Sequence, residues 1–402
     1  MTIDSIFSDI IKEEPDPIIK TMEQFSKDEN PKKIDLSIGV YKDPQGNCYE
    51  FPSIKLAKQI LNKNDPGNNY TNMGGIPNFL NGAQDLIFGS KIKQSGKIVS
   101  LQTISGTGSL HIAMILLREV GFINYYIGTP TWQNYIPMIE HIRGNVKTYN
   151  YYNEIDKSID FENIVEVLNS ADSNSIFLFQ TCCHNPTGTD FTKDQWEKIV
   201  SIVKQKNLKC ILDTAYQGFQ TGNLSKDIWP ITLFFQKNLE FLVCQSFAKN
   251  MGLYSERCGA LHVVVQDKSL VSTVKSQLVK IFRNECSFAP AYGSRLANII
   301  FENYELRRQW EKEIENCYNR LNNIRNEIYN KLTHELKTPG NWKYIKDQNG
   351  LFWYSGFNEK QVSQLIRDYH IYVTDIGRIN LAGLNDNNIE YFCNSIDKVI
   401  RS

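Results

Sequence analysis

Ile98-Val99-Ser100-Leu101-Gln102-Thr103-Ile104-Ser105-Gly106-Thr107-Gly108 is a largely apolar run that ends in small polar residues and then gives way to helical periodicity. The same succession recurs along the chain. Tyr125-Tyr126-Ile127 meets Gly128-Thr129-Pro130, and Ile176-Phe177-Leu178-Phe179 precedes His184-Asn185-Pro186-Thr187-Gly188. Cys210-Ile211-Leu212 precedes Asp213, Phe241-Leu242-Val243-Cys244 precedes Ser246, and Leu261 to Val265 forms a last run. Short apolar runs separated by helix-length segments predict strands buried on both faces, in a parallel α/β sheet. In such sheets the chemistry gathers at the carboxyl ends of the strands. The polar clusters just quoted fall at those ends.

Beyond Arg283 the pattern changes. Trp310, Ile314, Cys317, Leu321, Ile324, Ile328 and Leu332 recur at steps of three and four, which predicts one long amphipathic helix. It is expected to link a large sheet domain, residues 46–315, to a smaller α+β unit that includes residues 316–402. Pro15 and Pro17 suggest an extended N-terminal arm reaching to about residue 25.

The bulk properties exclude several function classes. The chain has 402 residues, enough for two domains and a large core. Lys+Arg and Asp+Glu each total 44, so no net charge draws the chain as a whole to nucleic acid or anionic membrane. An anion site must therefore be local. The nine cysteines are scattered with no C-x-x-C pair, which fits thiols in a reducing compartment. The six histidines show no metal-ligand spacing. No apolar run approaches the roughly 18 residues of a membrane span. Met1 to Pro17 carries five acidic residues and no Arg, unlike a signal or transit peptide. The expected location is the cytoplasm.

Lys249 lies in Gln245-Ser246-Phe247-Ala248-Lys249-Asn250-Met251-Gly252-Leu253-Tyr254-Ser255-Glu256-Arg257. Its amine can form a Schiff base, with a hydroxyl three residues before it and a guanidinium eight residues after. Those two groups suit a dianionic phosphate held beside an imine. Pyridoxal 5'-phosphate (PLP) carries both a phosphate and an aldehyde. Ser105-Gly106-Thr107 follows a strand and opens a helix, where free N–H groups and the helix dipole favour a phosphate. Asp213 should emerge from a buried strand end, where a carboxylate needs a partner such as the pyridinium nitrogen of PLP.

Ser105-Gly106-Thr107, Asn185-Pro186-Thr187-Gly188, Asp213-Thr214-Ala215-Tyr216, Ser246-x-x-Lys249, Arg257 and Arg378 together resemble the aspartate aminotransferases, class I aminotransferases of PLP-dependent fold type I. The resemblance runs from Ser5-Ile6-Phe7 to the C-terminus. It implies a seven-stranded, mostly parallel sheet in the large domain and a small domain that also takes in residues 16–45, with residues 1–15 as the arm. It further implies that Lys249 bonds PLP and carries protons, and that Asp213 holds the ring nitrogen. Tyr216 and Asn185 would reach the 3'-oxygen and Trp132 would stack on the ring. Ser105, Gly106, Thr107, Ser246 and Arg257 would bind the phosphate. Arg378 would clamp the substrate α-carboxylate beneath a loop at Gly39. Tyr70 and Arg283 would be donated across a homodimer interface, to the phosphate and to a distal carboxylate. Two carboxylate-reading arginines select a dicarboxylic acid, since an unpaired buried guanidinium penalises a neutral side chain.

Three positions depart from the family pattern. Tyr135 and Gln180 stand where relatives often have histidines, and Phe288 replaces a common asparagine, which bears on proton affinities and substrate preference. The expected activity is reversible transfer of the amino group of L-aspartate to 2-oxoglutarate. A broader aromatic and dicarboxylic transaminase is the alternative, and a non-catalytic protein of this fold a remote one. Ser246-Phe247-Ala248-Lys249 also fits the S-x-x-K of acyl-enzyme hydrolases, but the S-D-N and K-T-G tripeptides do not occur.

Overall fold

The computed structural model describes residues 5–402. Seven strands form one sheet: β1 (Ile98–Ile104), β2 (Asn124–Thr129), β3 (Asn145–Asn150), β4 (Ser175–Gln180), β5 (Lys209–Thr214), β6 (Phe241–Ser246) and β7 (Cys258–Val264). Their spatial order is β1-β7-β6-β5-β4-β2-β3. Six run parallel, and β7 is antiparallel to both of its neighbours.

The apolar runs are continuous because alternate side chains enter different cores. Ile176, Leu178, Ile211, Leu242 and Cys244 pack on one face, against the helix Ser105–Glu119 and the helix Val271–Glu285. Phe177, Phe179, Cys210, Leu212 and Val243 pack on the other, with Trp196 and Phe234 from the helices Lys193–Lys206 and Trp229–Gln236. Each such side chain stabilises the sheet by about 1.5–3 kcal/mol on full burial. Strand β3, Asn-Val-Lys-Thr-Tyr-Asn, is mostly exposed at the sheet edge and has no apolar run to announce it.

The reversed strand has a consequence for the site. Its first residue, Cys258, lies beside Ile104, the last of β1, and Gly259 lies beside Ser246, the last of β6. Arg257 is thereby brought to the edge where the parallel strands end. A Cβ at Gly259 would sit 2.6 Å from the Ser105 carbonyl carbon and 2.7 Å from the Gln245 carbonyl oxygen, so only glycine fits this junction.

The long helix spans Tyr304–Asn330 and continues into a π-helical turn, Lys331–Glu335. All seven apolar positions of its stripe are buried. At one end Trp310 Nε1 donates to the Asn250 carbonyl (2.6 Å), and Glu313 accepts from the Ser53 hydroxyl (2.6 Å). Farther along, the buried Arg325 guanidinium donates to the carbonyls of Ile345, Gly350 and Phe352. One rod about 40 Å long, at 1.5 Å per residue, thus ties the lysine-bearing loop to the C-terminal strands.

The expected extension of the N-terminal arm to about residue 25 is corrected. A helix covers Pro17–Lys27, with Asp16 as its N-cap accepting from the amides of Ile18 (2.8 Å) and Ile19 (3.3 Å). Proline at the first helical position lacks an N–H that would have no partner there, so Pro17 starts the helix. The described part of the arm before it, from Ser5, is exposed, and residues 1–4 of the expected arm lie outside the described residues. The short strand Ile34–Asp35 pairs with Ile371–Tyr372, joining this N-terminal segment to the C-terminal one.

Candidate active site

The strand ends converge on a cavity of about 70 Å³ whose wall includes Ser105, Gly106, Thr107, Trp132, Asn185, Asp213, Tyr216, Ser246, Lys249 and Arg257. These residues stand at or near the ends of six strands and are among those expected to hold a cofactor. The helix Ser105–Glu119 starts here with no side-chain cap, which leaves first-turn N–H groups for an anion. Ser105 Oγ lies 3.1 Å from Ser246 Oγ, and the Ser105 amide donates to the Arg257 carbonyl (3.0 Å). Arg257 Nη1 donates to the Tyr254 carbonyl (2.9 Å). Two hydroxyls, a helix terminus and a guanidinium thus surround one end of the cavity, a donor set that fits a phosphate.

Asp213 is buried at the end of β5. Tyr135 donates its phenol proton to Asp213 Oδ2 at 2.5 Å, while Oδ1 is buried without a partner. Burial pushes the Asp213 carboxyl up to about 6, against the Tyr135 hydrogen bond and the Lys249 charge, which both pull it down. An orphaned buried carboxylate oxygen beside an anion cradle fits a ring N–H cation. Lys249 Nζ lies 5.0 Å from the Tyr216 ring centroid. Burial brings the Lys249 ammonium down to about 8; Asp213 opposes this, and Arg257 and Arg378 add to it. The amine therefore exchanges protons near neutral pH, as a Schiff-base lysine and proton carrier requires.

Arg378 is buried beside the cavity. Its Nη1 donates to Asn185 Oδ1 (3.0 Å), its Nη2 donates to the Ser37 carbonyl (2.7 Å), and its Nε has no partner. The guanidinium carbon lies 4.2 Å from the Phe352 ring centroid. Gly39 follows two residues after Ser37, and a Cβ there would stand 3.9 Å from the Tyr216 hydroxyl. The carboxylate-binding expectation for Arg378 thus meets a desolvated guanidinium with donors to spare.

Tyr70 and Arg283 are not brought to this cavity. Tyr70 is 81% exposed and stacks on Phe288, with ring centroids 4.7 Å apart. Arg283 is exposed near the end of its helix. Two residues gain roles that sequence reading had marked only as departures. Tyr135 holds Asp213, and Gln180 grips the Asn185 backbone at both ends, accepting from its amide (2.9 Å) and donating to its carbonyl (3.0 Å). Phe352, under Arg378, was missed, because an aromatic in an apolar strand carries no signal of a cation above it. Among the described residues no cluster could hold a metal ion, and no helix is long and apolar enough to cross a membrane.

The aminotransferase class I and II family profile matches residues 31–396, and the chain belongs to that family. Its members are PLP-dependent, in keeping with the lysine, the carboxylate and the hydroxyl and guanidinium donors around this cavity. A mitochondrial aspartate aminotransferase of Schizosaccharomyces pombe is 38% identical over 98% of this chain and 91% of its own length. The structure of the aspartate aminotransferase from Saccharomyces cerevisiae cytoplasm superposes with a TM-score of 0.96 at 35% identity, covering 98% of both chains. An aromatic-amino-acid aminotransferase from Burkholderia pseudomallei, solved covalently bound to pyridoxal phosphate, also gives 0.96, at 30% identity, with 98% of this chain and 100% of that one covered.

Proposed function

We propose that this protein is a PLP-dependent transaminase that moves the amino group of L-aspartate to 2-oxoglutarate, giving oxaloacetate and L-glutamate, reversibly and in two half-reactions. The observation that carries this is one cavity lined by Lys249 and the buried Asp213, whose Oδ1 has no partner, with the Arg378 guanidinium beside it on the lining residue Asn185. The aspartate aminotransferases that match this chain over nearly its whole length support aspartate as the donor.

PLP, when bound, supplies a carbonyl carbon that takes the amino group and a ring that accepts the electron pair left at the substrate α-carbon. Asp213 Oδ1 would hold the ring nitrogen, with Tyr216 and Asn185 at the 3'-oxygen and Trp132 on the ring face. Ser105, Gly106, Thr107, Ser246 and Arg257 would hold the phosphate. Lys249 Nζ, unprotonated for a useful fraction of the time near neutral pH, takes the proton from the substrate α-carbon and can return it. Arg378 orients the α-carboxylate, and the loop at Gly39 keeps water from the reacting atoms.

The active unit is a homodimer in which Tyr70 reaches the phosphate and Arg283 the distal carboxylate of the partner's site. Support comes from the exposure of both residues away from their own cavity. The large apolar side chains Ile6, Phe7, Ile10 and Ile11 are also exposed, on an arm that has little else to bury them. We assign residues 1–15 to that arm, 16–45 and 316–402 to a small domain, and 46–315 to the large domain. We place the enzyme in the cytoplasm, a location that fits its unpaired, mostly buried cysteines.

A broader transaminase that also accepts aromatic amino acids is the second reading, favoured by the equal structural likeness of the Burkholderia enzyme. The absorbance of the PLP-loaded protein, recorded with aspartate or phenylalanine and no keto acid, separates the two. Conversion by aspartate at low concentration, and by phenylalanine only at high concentration, supports the dicarboxylate reading. Equal responses move the assignment to the broad enzyme. A protein that takes up no PLP would refute both.

A further inference from the structure

Asn380 lies two residues after Arg378 on the strand Arg378–Asn380, so the two side chains share a face. It is fully buried. Its Nδ2 donates to two carbonyls, Ile38 (2.6 Å) and Val40 (2.7 Å), one on each side of Gly39. Its own amide donates to the Leu36 carbonyl (2.8 Å), and its Oδ1 accepts from the Ala382 amide (3.0 Å). With Arg378 Nη2 on the Ser37 carbonyl, the segment Leu36–Val40 is strapped carbonyl by carbonyl to the strand that carries the arginine. The far end of the segment is held from the lysine-bearing loop, where the Tyr254 hydroxyl accepts from the Tyr41 amide (2.8 Å).

We propose that Asn380 is a positioning residue for the reaction: it locks the Gly39 loop and Arg378 into one body, so that the carboxylate clamp and the substrate cover keep a fixed spacing. This rests on the assignment of Arg378 and the Gly39 loop to the substrate side. The geometry around Gly39 makes spacing matter. A Cβ there would sit 3.1 Å from Phe352 Cζ, the ring that lies under Arg378, so the loop runs close enough to that ring for a side chain at this position to press on it. A second hold on Ile38 exists, since the Val40 amide donates to its carbonyl (2.9 Å), but among the described residues Asn380 supplies the only hydrogen bond to the Val40 carbonyl. Asn380 is not part of the cofactor cavity, so its effect falls on substrate and not on PLP.

The test uses the PLP-loaded enzyme and two variants, Asn380→Ala and Asn380→Ser. Three neutral hydrogen bonds are lost in the first, two donated by Nδ2 and one accepted by Oδ1, and a hydroxyl can replace some of them in the second. The expected result is a KM for aspartate raised roughly tenfold in Asn380→Ala and by less in Asn380→Ser, with kcat falling less than KM rises and PLP affinity within about twofold. Backbone hydrogen exchange should speed up in residues 37–42 and not in the sheet. A uniform loss of PLP affinity, kcat and exchange protection would make Asn380 merely structural and overturn the proposal, as would an unchanged KM with unchanged exchange at 37–42. The exchange measurement needs no substrate. It therefore decides the positioning claim even if the unaltered enzyme fails to turn over aspartate, a failure that would fall on the functional reading instead.

Discussion

Tyr135→Phe removes one oxygen atom from the site, and its effect should depend on pH in a calculable way. The phenol donates to Asp213 Oδ2 at 2.5 Å, and both side chains are buried. A hydrogen bond to a charged group contributes about 1.5–3 kcal/mol, so its loss should raise the Asp213 carboxyl by about 1–2 pH units. From about 6 in the parent, the group should titrate at about 7–8 in the variant. The sign follows from linkage. Asp213 binds its proton more tightly in the folded than in the unfolded chain, whose carboxyl titrates near 3.8. The stability conferred by that proton is fully present below about 3.8 and is lost as pH rises through the folded value. In Tyr135→Phe the loss continues to about 7–8, so the variant falls further below the parent as the solution becomes more alkaline.

The assay is thermal unfolding of cofactor-free parent and variant between pH 5 and pH 8. Near pH 5 Asp213 is mostly protonated in both, and only the small packing effect of the missing oxygen separates them. By pH 8 the gap should widen by about 1.3–2.3 kcal/mol, or roughly 1.5–3 °C for a chain of this size. Asp190 and Asp227, also pushed up to about 6 by burial, titrate in both proteins and cancel in the difference. A gap that stays constant across this range would refute the claim that Tyr135 acts through the charge on Asp213.

Lys249→Met should stabilise the cofactor-free protein at pH 7. The parent carries an ammonium brought from 10.5 down to about 8, a cost of about 3 kcal/mol that is present below about 8 and gone above about 10.5. A gain of about 1–3 kcal/mol at pH 7 that has mostly gone by about pH 10, read by denaturant unfolding, is the expected outcome; a gain independent of pH would contradict it. Arg283→Ala should lower kcat/KM for aspartate by about a hundredfold or more, and for phenylalanine by only a few fold. Equal losses for both would mean that Arg283 does not read the distal carboxylate.

Much of the large domain was legible in sequence, and the reason is physical. A strand covered on both faces must be apolar at every step, so β4, β5 and β6 stand out as runs, and the polar residues just after them mark the functional edge. Strand β3 escaped because an edge strand, mostly open to water, can be written in Asn, Lys and Thr. The direction of β7 was equally silent. An apolar run carries no arrow, yet only its reversal puts Arg257, which precedes the strand, beside residues that follow theirs. The N-terminal arm was misread because proline bars a helix interior but favours its first position, and Asp16 supplied the cap that decides between the two.

Hydrogen-bond partners are a different kind of information. That Tyr135 serves Asp213, that Gln180 serves Asn185, and that Asn380 serves the two carbonyls around Gly39 depends on segments from five to more than three hundred residues apart meeting at a particular distance. Residue type narrows each choice to a donor or an acceptor and goes no further. For Tyr70 and Arg283 the single chain is also silent, because their expected partners lie on another copy. A residue that stays exposed while its companions in the motif are buried is then informative in itself. An aromatic ring at 81% exposure and a guanidinium left on the surface are in keeping with the proposed site completed across an interface. In the proposed dimer, dissociation should cost activity while leaving the hydrogen bond of Tyr135 to Asp213 and the place of Lys249 by the Tyr216 ring unchanged, since both contacts are made within one chain.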